Sequence, residues 1–316
     1  MLANYYCGRQ ADARCRRASV RAFPVDYQRT QLRNEGQMNS ESTENGKQTE
    51  AREKGDPKSS SGVSGQQSVE SEASCTAARE ALAGLRVVYS DNHLLVLDKS
   101  AGMPTVPDES GDVSLLEVAK EWVRADKGKP GRVFLGVVHR LDRPVSGIVV
   151  FARTSKAARR LSEQVREQTV EKVYWGVVPE RPATAGGTLD VWMRKDHRKN
   201  RSHIVGEGSG GAKRAVTEWC VLEDAYPGSL LEFRPKSGRS HQLRVAAREL
   251  GAALHGDVKY GAVEPLPDRS VALHSRLYAL EHPTSGERVC FKAPPPDSGW
   301  WEFPVCSTAR AEDGVA

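Results

Sequence analysis

The chain has 316 residues, room for one large domain or two small ones, and 38% of them are hydrophobic, which is low for a chain packed throughout. Its 46 Lys and Arg against 41 Asp and Glu leave +5, a mild excess that permits a phosphate-bearing partner without requiring one. The six cysteines (Cys7, Cys15, Cys75, Cys220, Cys290 and Cys306) show no C-x-x-C pair and no regular spacing, which argues against a disulfide frame or a zinc site, and no apolar run reaches membrane-spanning length or forms a secretory h-region.

Residues 1–84 differ from the rest. The opening carries Arg9, Arg14, Arg16, Arg17, Arg21, Arg29 and Arg33, a transit-peptide trait that Asp12 and Asp26 weaken. An over-extended reading frame with its start at Met38 is the equal alternative. From Asn34 to Glu72 the chain is nearly all Ser, Glu, Gly, Gln, Lys and Asn. Such a stretch buries too little apolar surface to offset its chain entropy and is expected to be disordered.

Order is expected from residue 85 to 306, with a disordered tail over 307–316. Residues 86–90 and 93–99 read as two strands joined by the turn pair Asp91-Asn92. A helix starts at Ser114, where Ser114 and Glu117 form a capping box and Leu115, Val118 and Trp122 share a face; Gly128 and Pro130 stop it. The strand 148–152 follows, then a helix capped by Thr154 or Ser155 with Ala158, Leu161 and Val165 as its buried stripe. Strands are predicted at 170–178, 188–192, 216–222, 230–234 and 289–292, and a helix at 240–250 ended by Gly251. Strands that follow one another without intervening helices argue for an α+β fold with a largely antiparallel sheet. No G-x-G-x-x-G or Walker loop opens a helix, so a nucleotide cofactor has no support.

The stretch His139-Arg140-Leu141-Asp142-Arg143-Pro144-Val145-Ser146-Gly147 is the first candidate for chemistry. It sets one aspartate in a Pro-restricted turn between two arginines. A carboxylate held among fixed cations stays ionised and aimed, which suits a nucleophile or a base. The bland alternative is a charged turn leading into a strand. An Asp–His hydrolase built on His139 and Asp142 lacks a serine motif. A metal at His139 or His241 lacks a second ligand at the right spacing. The densest basic run, Arg194 to Arg201, lies between predicted strands and is expected to be a flexible, phosphate-contacting arm through Arg198, Lys199 and Arg201; a solvated hairpin tip is the alternative.

Four segments fall in order: Leu95-Val96-Leu97-Asp98-Lys99-Ser100-Ala101-Gly102, the Asp142 turn, Glu171-Lys172-Val173-Tyr174-Trp175-Gly176-Val177-Val178, and Ser237-Gly238-Arg239-Ser240-His241-Gln242-Leu243-Arg244-Val245 with His255-Gly256-Asp257-Val258-Lys259-Tyr260-Gly261. Together they resemble the RluA-type RNA pseudouridine synthases from about Val87 to Pro304. Ser100, Val145 and the pair Ala246-Ala247 depart from the family pattern and bear on substrate identity. The resemblance implies a pseudouridine synthase fold, a largely antiparallel mixed sheet flanked by helices around a central cleft. It implies a short form without the S4 RNA-binding domain, so the catalytic domain selects the target. It implies isomerisation of uridine in ribosomal or transfer RNA by a cytoplasmic, monomeric class of enzyme with no cofactor and no metal. An inactive RNA-binding module of the same fold is the alternative. Asp142 is then the nucleophile or base, Arg244 its partner cation, and Tyr174 the ring stacked on the extruded uracil. Leu243 closes the pocket and Arg140 fills the space the base leaves. Arg239, His241 and Lys172 join them in binding the substrate.

Overall fold

A computed structural model describes residues 16–17, 72–127 and 132–313. The readings made for the rest of 1–71, and the helix stop at Gly128 and Pro130, lie outside the described residues. The strands are β1 (Arg16–Arg17), β2 (Arg86–Ser90), β3 (Leu94–Lys99), β4 (Gly136–Val137), β5 (Ser146–Ala152), β6 (Glu171–Val178), β7 (Gly186–Asp196), β8 (Arg201–Val205), β9 (Lys213–Ala225), β10 (Gly228–Pro235), β11 (Leu273–Glu281) and β12 (Arg288–Lys292). The helices are α1 (Glu72–Glu80), α2 (Leu115–Lys127), α3 (Ser155–Arg166), α4 (Gln242–Glu249) and α5 (Pro304–Asp313).

The main path of the sheet runs β2-β3-β5-β11-β6-β10-β9-β7-β8. Its pairs are antiparallel except β5 with β11, where Ser146 faces His274 and Gly147 faces Ser275. The class is α+β, as the run of strands implies. β3 and β5 are buried on both faces, which is why each reads as an unbroken apolar run. Leu95, Leu97, Val149 and Phe151 pack with Leu115, Ala119 and Val123 of α2 on one face. Leu94, Val96, Ile148 and Val150 pack with Ala157 and Leu161 of α3 on the other. Each such side chain contributes about 1.5–3 kcal/mol when fully buried. Leu243, Ala246 and Ala247 of α4 join the α2 face, and this is the face that carries the site.

Local signals explain the termini. The Ser114 N–H and hydroxyl both donate to Glu117 Oε2, at 2.9 and 2.7 Å, so the capping box forms. Thr154 caps α3 by accepting from Ala157 N–H at 3.1 Å. Asp91 Oδ1 accepts from the His93 and Leu94 N–H groups, at 2.7 and 2.6 Å, and so makes the first hairpin turn.

Several elements differ from expectation. α4 begins at Gln242 instead of Ser240 because His241 adopts a left-handed φ of 56°. Gln242 fixes that bend: its Oε1 accepts from Arg239 N–H and Ser237 Oγ, and its Nε2 donates to Val216 O and Thr217 Oγ1. The basic run is a hairpin, not a loose arm. Arg194, Lys195 and Asp196 belong to β7 and pair with β8 from Arg201 onward, and buried Met193 anchors the ladder. The expected tail is largely helical, since α5 buries Cys306 and Ala309 against Trp175, Val177 and Leu230. At the other end α1 precedes residue 85 and buries Ala78. β11, unpredicted, sits mid-sheet. Among the described residues no helix is long and apolar enough to cross a membrane.

Candidate active site

The turn that carries Asp142 is held from three sides. The Thr105 hydroxyl accepts from Leu141 N–H at 3.2 Å and donates to Leu141 O at 2.8 Å. Gly102 N–H donates to Arg143 O at 2.9 Å, and Val271 N–H to Pro144 O at 3.0 Å. Lys99, fully buried, spends its ammonium on the carbonyls of Ser100, Met103 and Arg143, at 2.9, 2.7 and 3.2 Å. Burial pushes the Lys99 pKa down to about 7 against the pull of Asp142. Gly147 has a φ of +110°, and a Cβ there would stand 2.4 Å from Ser275 O, so only glycine lets β5 lie against β11 at this point. His139 serves the frame: its Nε2 accepts from Val150 N–H at 2.9 Å and its ring stacks on Tyr278 at 4.3 Å.

Asp142 emerges from this turn with 29% of its side chain exposed. The neighbouring arginines are not its clamp, contrary to expectation. Arg140 is exposed, and the Arg143 guanidinium turns to Gly102 O and Asp112. The cation beside Asp142 is Arg244, on the inner face of α4 as expected, with Nη1 3.6 Å from Asp142 Oδ2. The strongest bonds of Arg244 go elsewhere. Its Nε and Nη2 donate to Asp257 Oδ2 and Oδ1, at 2.7 and 2.6 Å. Burial opposes the charge on Arg244, yet the Asp257 bonds and the Asp142 charge outweigh it and hold its pKa above the ordinary value. Asp257 thus fixes the guanidinium, and the guanidinium faces Asp142 with its remaining edge.

His241 Nε2 lies 3.8 Å from Asp142 Oδ2 on the same side. Tyr174, on β6, packs against the cluster that includes Leu141, Phe233, Leu243 and Leu254. Burial pushes its phenol up to about 12, and the Asp142 charge adds to the rise, so it stays protonated at neutral pH. A carboxyl group, a fixed cation, a neutral phenol and an apolar wall therefore share one face of the sheet.

The sequence pattern of the family described as RNA pseudouridylate synthase matches residues 93–249. A Zymomonas mobilis RNA pseudouridine synthase is 38% identical over 179 residues, covering 56% of this chain and 78% of that protein. The ribosomal large subunit pseudouridine synthase D of Pseudomonas aeruginosa is 32% identical over 231 residues, covering 69% and 70%. The chain belongs to the RluA-type RNA pseudouridine synthases. This is a family of isomerases. Two solved structures agree on the fold. Human RNA pseudouridylate synthase domain containing 1 is 27% identical with a TM-score of 0.55, covering 72% of this chain and 88% of that one. Human RNA pseudouridylate synthase domain containing 4, 24% identical, has a TM-score of 0.59 and covers 76% and 97%.

The synthase distributes its other expected residues over several places. Leu243 is buried in the core beside Leu141. Lys172, half-buried two residues before Tyr174 and so on the same strand face, donates to Ser237 O at 3.4 Å. Burial, and then the Lys236 charge, lowers its pKa. Arg239 is exposed and donates to Arg214 O at 3.0 Å. Arg198 and Lys199 are exposed at the hairpin tip, where Asp196 Oδ1 accepts from both of their N–H groups. Arg201 reaches back instead, its guanidinium 5.1 Å over the Tyr260 ring. Sequence reasoning did not single out Lys99, Thr105, Asp257 or Tyr260. Lys99, Asp257 and Tyr260 all stand in the family segments, and for Asp257 a carboxylate close after a buried helical arginine was the available signal.

Proposed function

We propose that this synthase converts uridine to pseudouridine in ribosomal RNA, with Asp142 as the essential residue. The observation that carries the reading is the Asp142 carboxylate faced at 3.6 Å by a buried guanidinium that Asp257 immobilises. The ribosomal target rests on relatives named ribosomal large subunit pseudouridine synthase D, and transfer RNA is the competing substrate. In the reaction the N1–C1′ bond breaks, the ring turns and a C5–C1′ bond forms. C5 loses one proton and N1 gains one, so no redox partner is required. Asp142 supplies the anionic oxygen at the junction of ribose and uracil, as nucleophile or base. Arg244, 3.6 Å away, holds it aimed. Tyr174 offers a flat face to the extruded base, and its protonated phenol is left as a hydrogen-bond donor in the pocket. Leu243 and its neighbours exclude water, which strengthens the ion pair and guards the detached ring. Arg140 takes the space vacated in the RNA, since extrusion costs a few kcal/mol of stacking. Arg239, His241 and Lys172 line the approach, while Arg198, Lys199 and Arg201 meet phosphates. We read the enzyme as a cytoplasmic monomer that works without cofactor or metal, with a catalytic domain that extends beyond residues 85–306 to take in α1 and α5.

The test is turnover on unmodified ribosomal and transfer RNA transcripts, with Asp142→Ala as control. Pseudouridine from the parent and none from the variant is the expected result. RNA binding by the parent without product would instead mark a binding module of this fold.

A further inference from the structure

Tyr260, in the short turn Val258–Tyr260, is 2% exposed, and three groups crowd its hydroxyl. The Ser202 N–H on β8 donates to it at 2.9 Å. The Ser202 carbonyl lies 3.2 Å away and His241 Nδ1 lies 2.7 Å away. A phenol has one proton to give. It goes either to the Ser202 carbonyl or to an unprotonated Nδ1.

The far side of the imidazole decides between them. Nε2 faces the Asp142 carboxylate at 3.8 Å. With the ring proton on Nδ1, a lone pair on Nε2 would point at an anion. With the proton on Nε2, the positive end of the N–H dipole points at Asp142, and Nδ1 is left to accept from Tyr260, its nearest neighbour. The ring itself is neutral at pH 7. Burial drives its pKa down to about 4 despite Asp142, helped by the charges of Arg244, Lys259 and Lys195.

The same phenol ring also meets two cations. The Arg201 guanidinium, at the start of β8, is 5.1 Å from its centroid, and that of Arg244 is 5.0 Å away. Lys259 Nζ adds a bond to Asn200 O, in the hairpin turn, at 3.2 Å. One side chain therefore touches the hairpin backbone, a hairpin cation, the cation beside Asp142 and the histidine beside Asp142.

We propose that Tyr260 is a positioning residue: seated by the backbone of β8, it fixes the His241 tautomer that presents Nε2–H to Asp142, and so ties the field at Asp142 to the seating of the β7–β8 hairpin. This rests on the role given to Asp142 above. A hairpin displaced by its RNA contacts shifts Ser202, then Tyr260, then the imidazole.

Nitrogen-15 NMR of the histidine side chains in the unaltered full chain is the first test. His241 is expected to carry its proton on Nε2, and a proton on Nδ1 overturns the proposal. Tyr260→Phe keeps the ring, its packing and both cation contacts while removing the hydroxyl. It is expected to give mixed His241 tautomers and about a tenfold lower kcat on RNA at unchanged KM. A kcat within about twofold of the parent, or a change in KM alone, overturns the proposal. The NMR measurement requires no turnover and no variant. A chain that makes no pseudouridine therefore counts against the proposed function, and the tautomer is still decided.

Discussion

Asp257→Asn probes the charge pair behind the site. Arg244 and Asp257 are 6% and 1% exposed, and two short bonds join them. The amide keeps one acceptor but turns an NH2 group towards the guanidinium, so donor faces donor. Removing one partner of a buried pair costs about 3–5 kcal/mol. Asp142 remains at 3.6 Å as partial compensation, which sets the expectation at the low end, about 3 kcal/mol. For a domain of this size that lowers Tm by about 6–12 °C. Urea unfolding at pH 7, read alongside thermal melts, measures it. Adding Arg244→Met to Asp257→Asn removes the stranded charge and is expected to recover at least about half of the loss while leaving the enzyme inactive. A loss under about 1 kcal/mol for the single variant, or a double variant no more stable than the single, refutes the reasoning.

Asp142→Asn is expected to lower kcat by about 10²–10⁴-fold while changing stability by less than about 1 kcal/mol, because Asp257 still neutralises Arg244; a stable variant with parental turnover contradicts the site. Gly147→Ala is expected to destabilise by about 3 kcal/mol or more, from left-handed strain and collision with Ser275, and unfolding curves matching the parent would exclude that contact. Burial holds His139 and His274 neutral with pKa values near 3. The folded pKa lies below the unfolded one, so this stability is complete above about pH 6.5 and falls as pH drops towards 3, by up to about 2 kcal/mol for each histidine at pH 5. His139→Gln should flatten that acid slope, and an unchanged slope argues against a neutral His139. Replacing Arg198, Lys199 and Arg201 with alanine is expected to weaken RNA binding and to shallow its salt dependence by up to about one unit of slope per lost phosphate contact; equal affinity at every salt concentration removes the hairpin from the interface.

Much of this architecture is legible in the residues. The strands at β3 and β5 are plain apolar runs, and Ser114 with Glu117 marks a helix start that forms as read. The pairing of Asp142 with Arg244 follows from the family motifs. β11 was hidden because His274, Ser275 and Arg276 interrupt its apolar pattern. His274 and Arg276 are buried because distant groups receive them: His274 bonds Ser146 Oγ and Ala293 O, and Arg276 lies over the Trp175 ring. Tertiary partners of that kind leave no local trace. α5 was missed for a related reason, since its buried positions include the small residues Cys306 and Ala309. The bond from Arg244 to Asp257 crosses a chain reversal that no periodicity announces. Of the two readings of the basic run, the hairpin tip holds and the loose arm does not, because the flanking strands carry charge that composition alone assigns to solvent.

β5 and β6 are successive long strands of the main path, yet β11, made about a hundred residues later, is inserted between them. Until residues 273–281 are made, the β6 edge and the Ser146–Gly147 end of β5 lack their partner, and unpaired strand amides of that kind invite mispairing. The centre of the sheet is thus a late addition during synthesis.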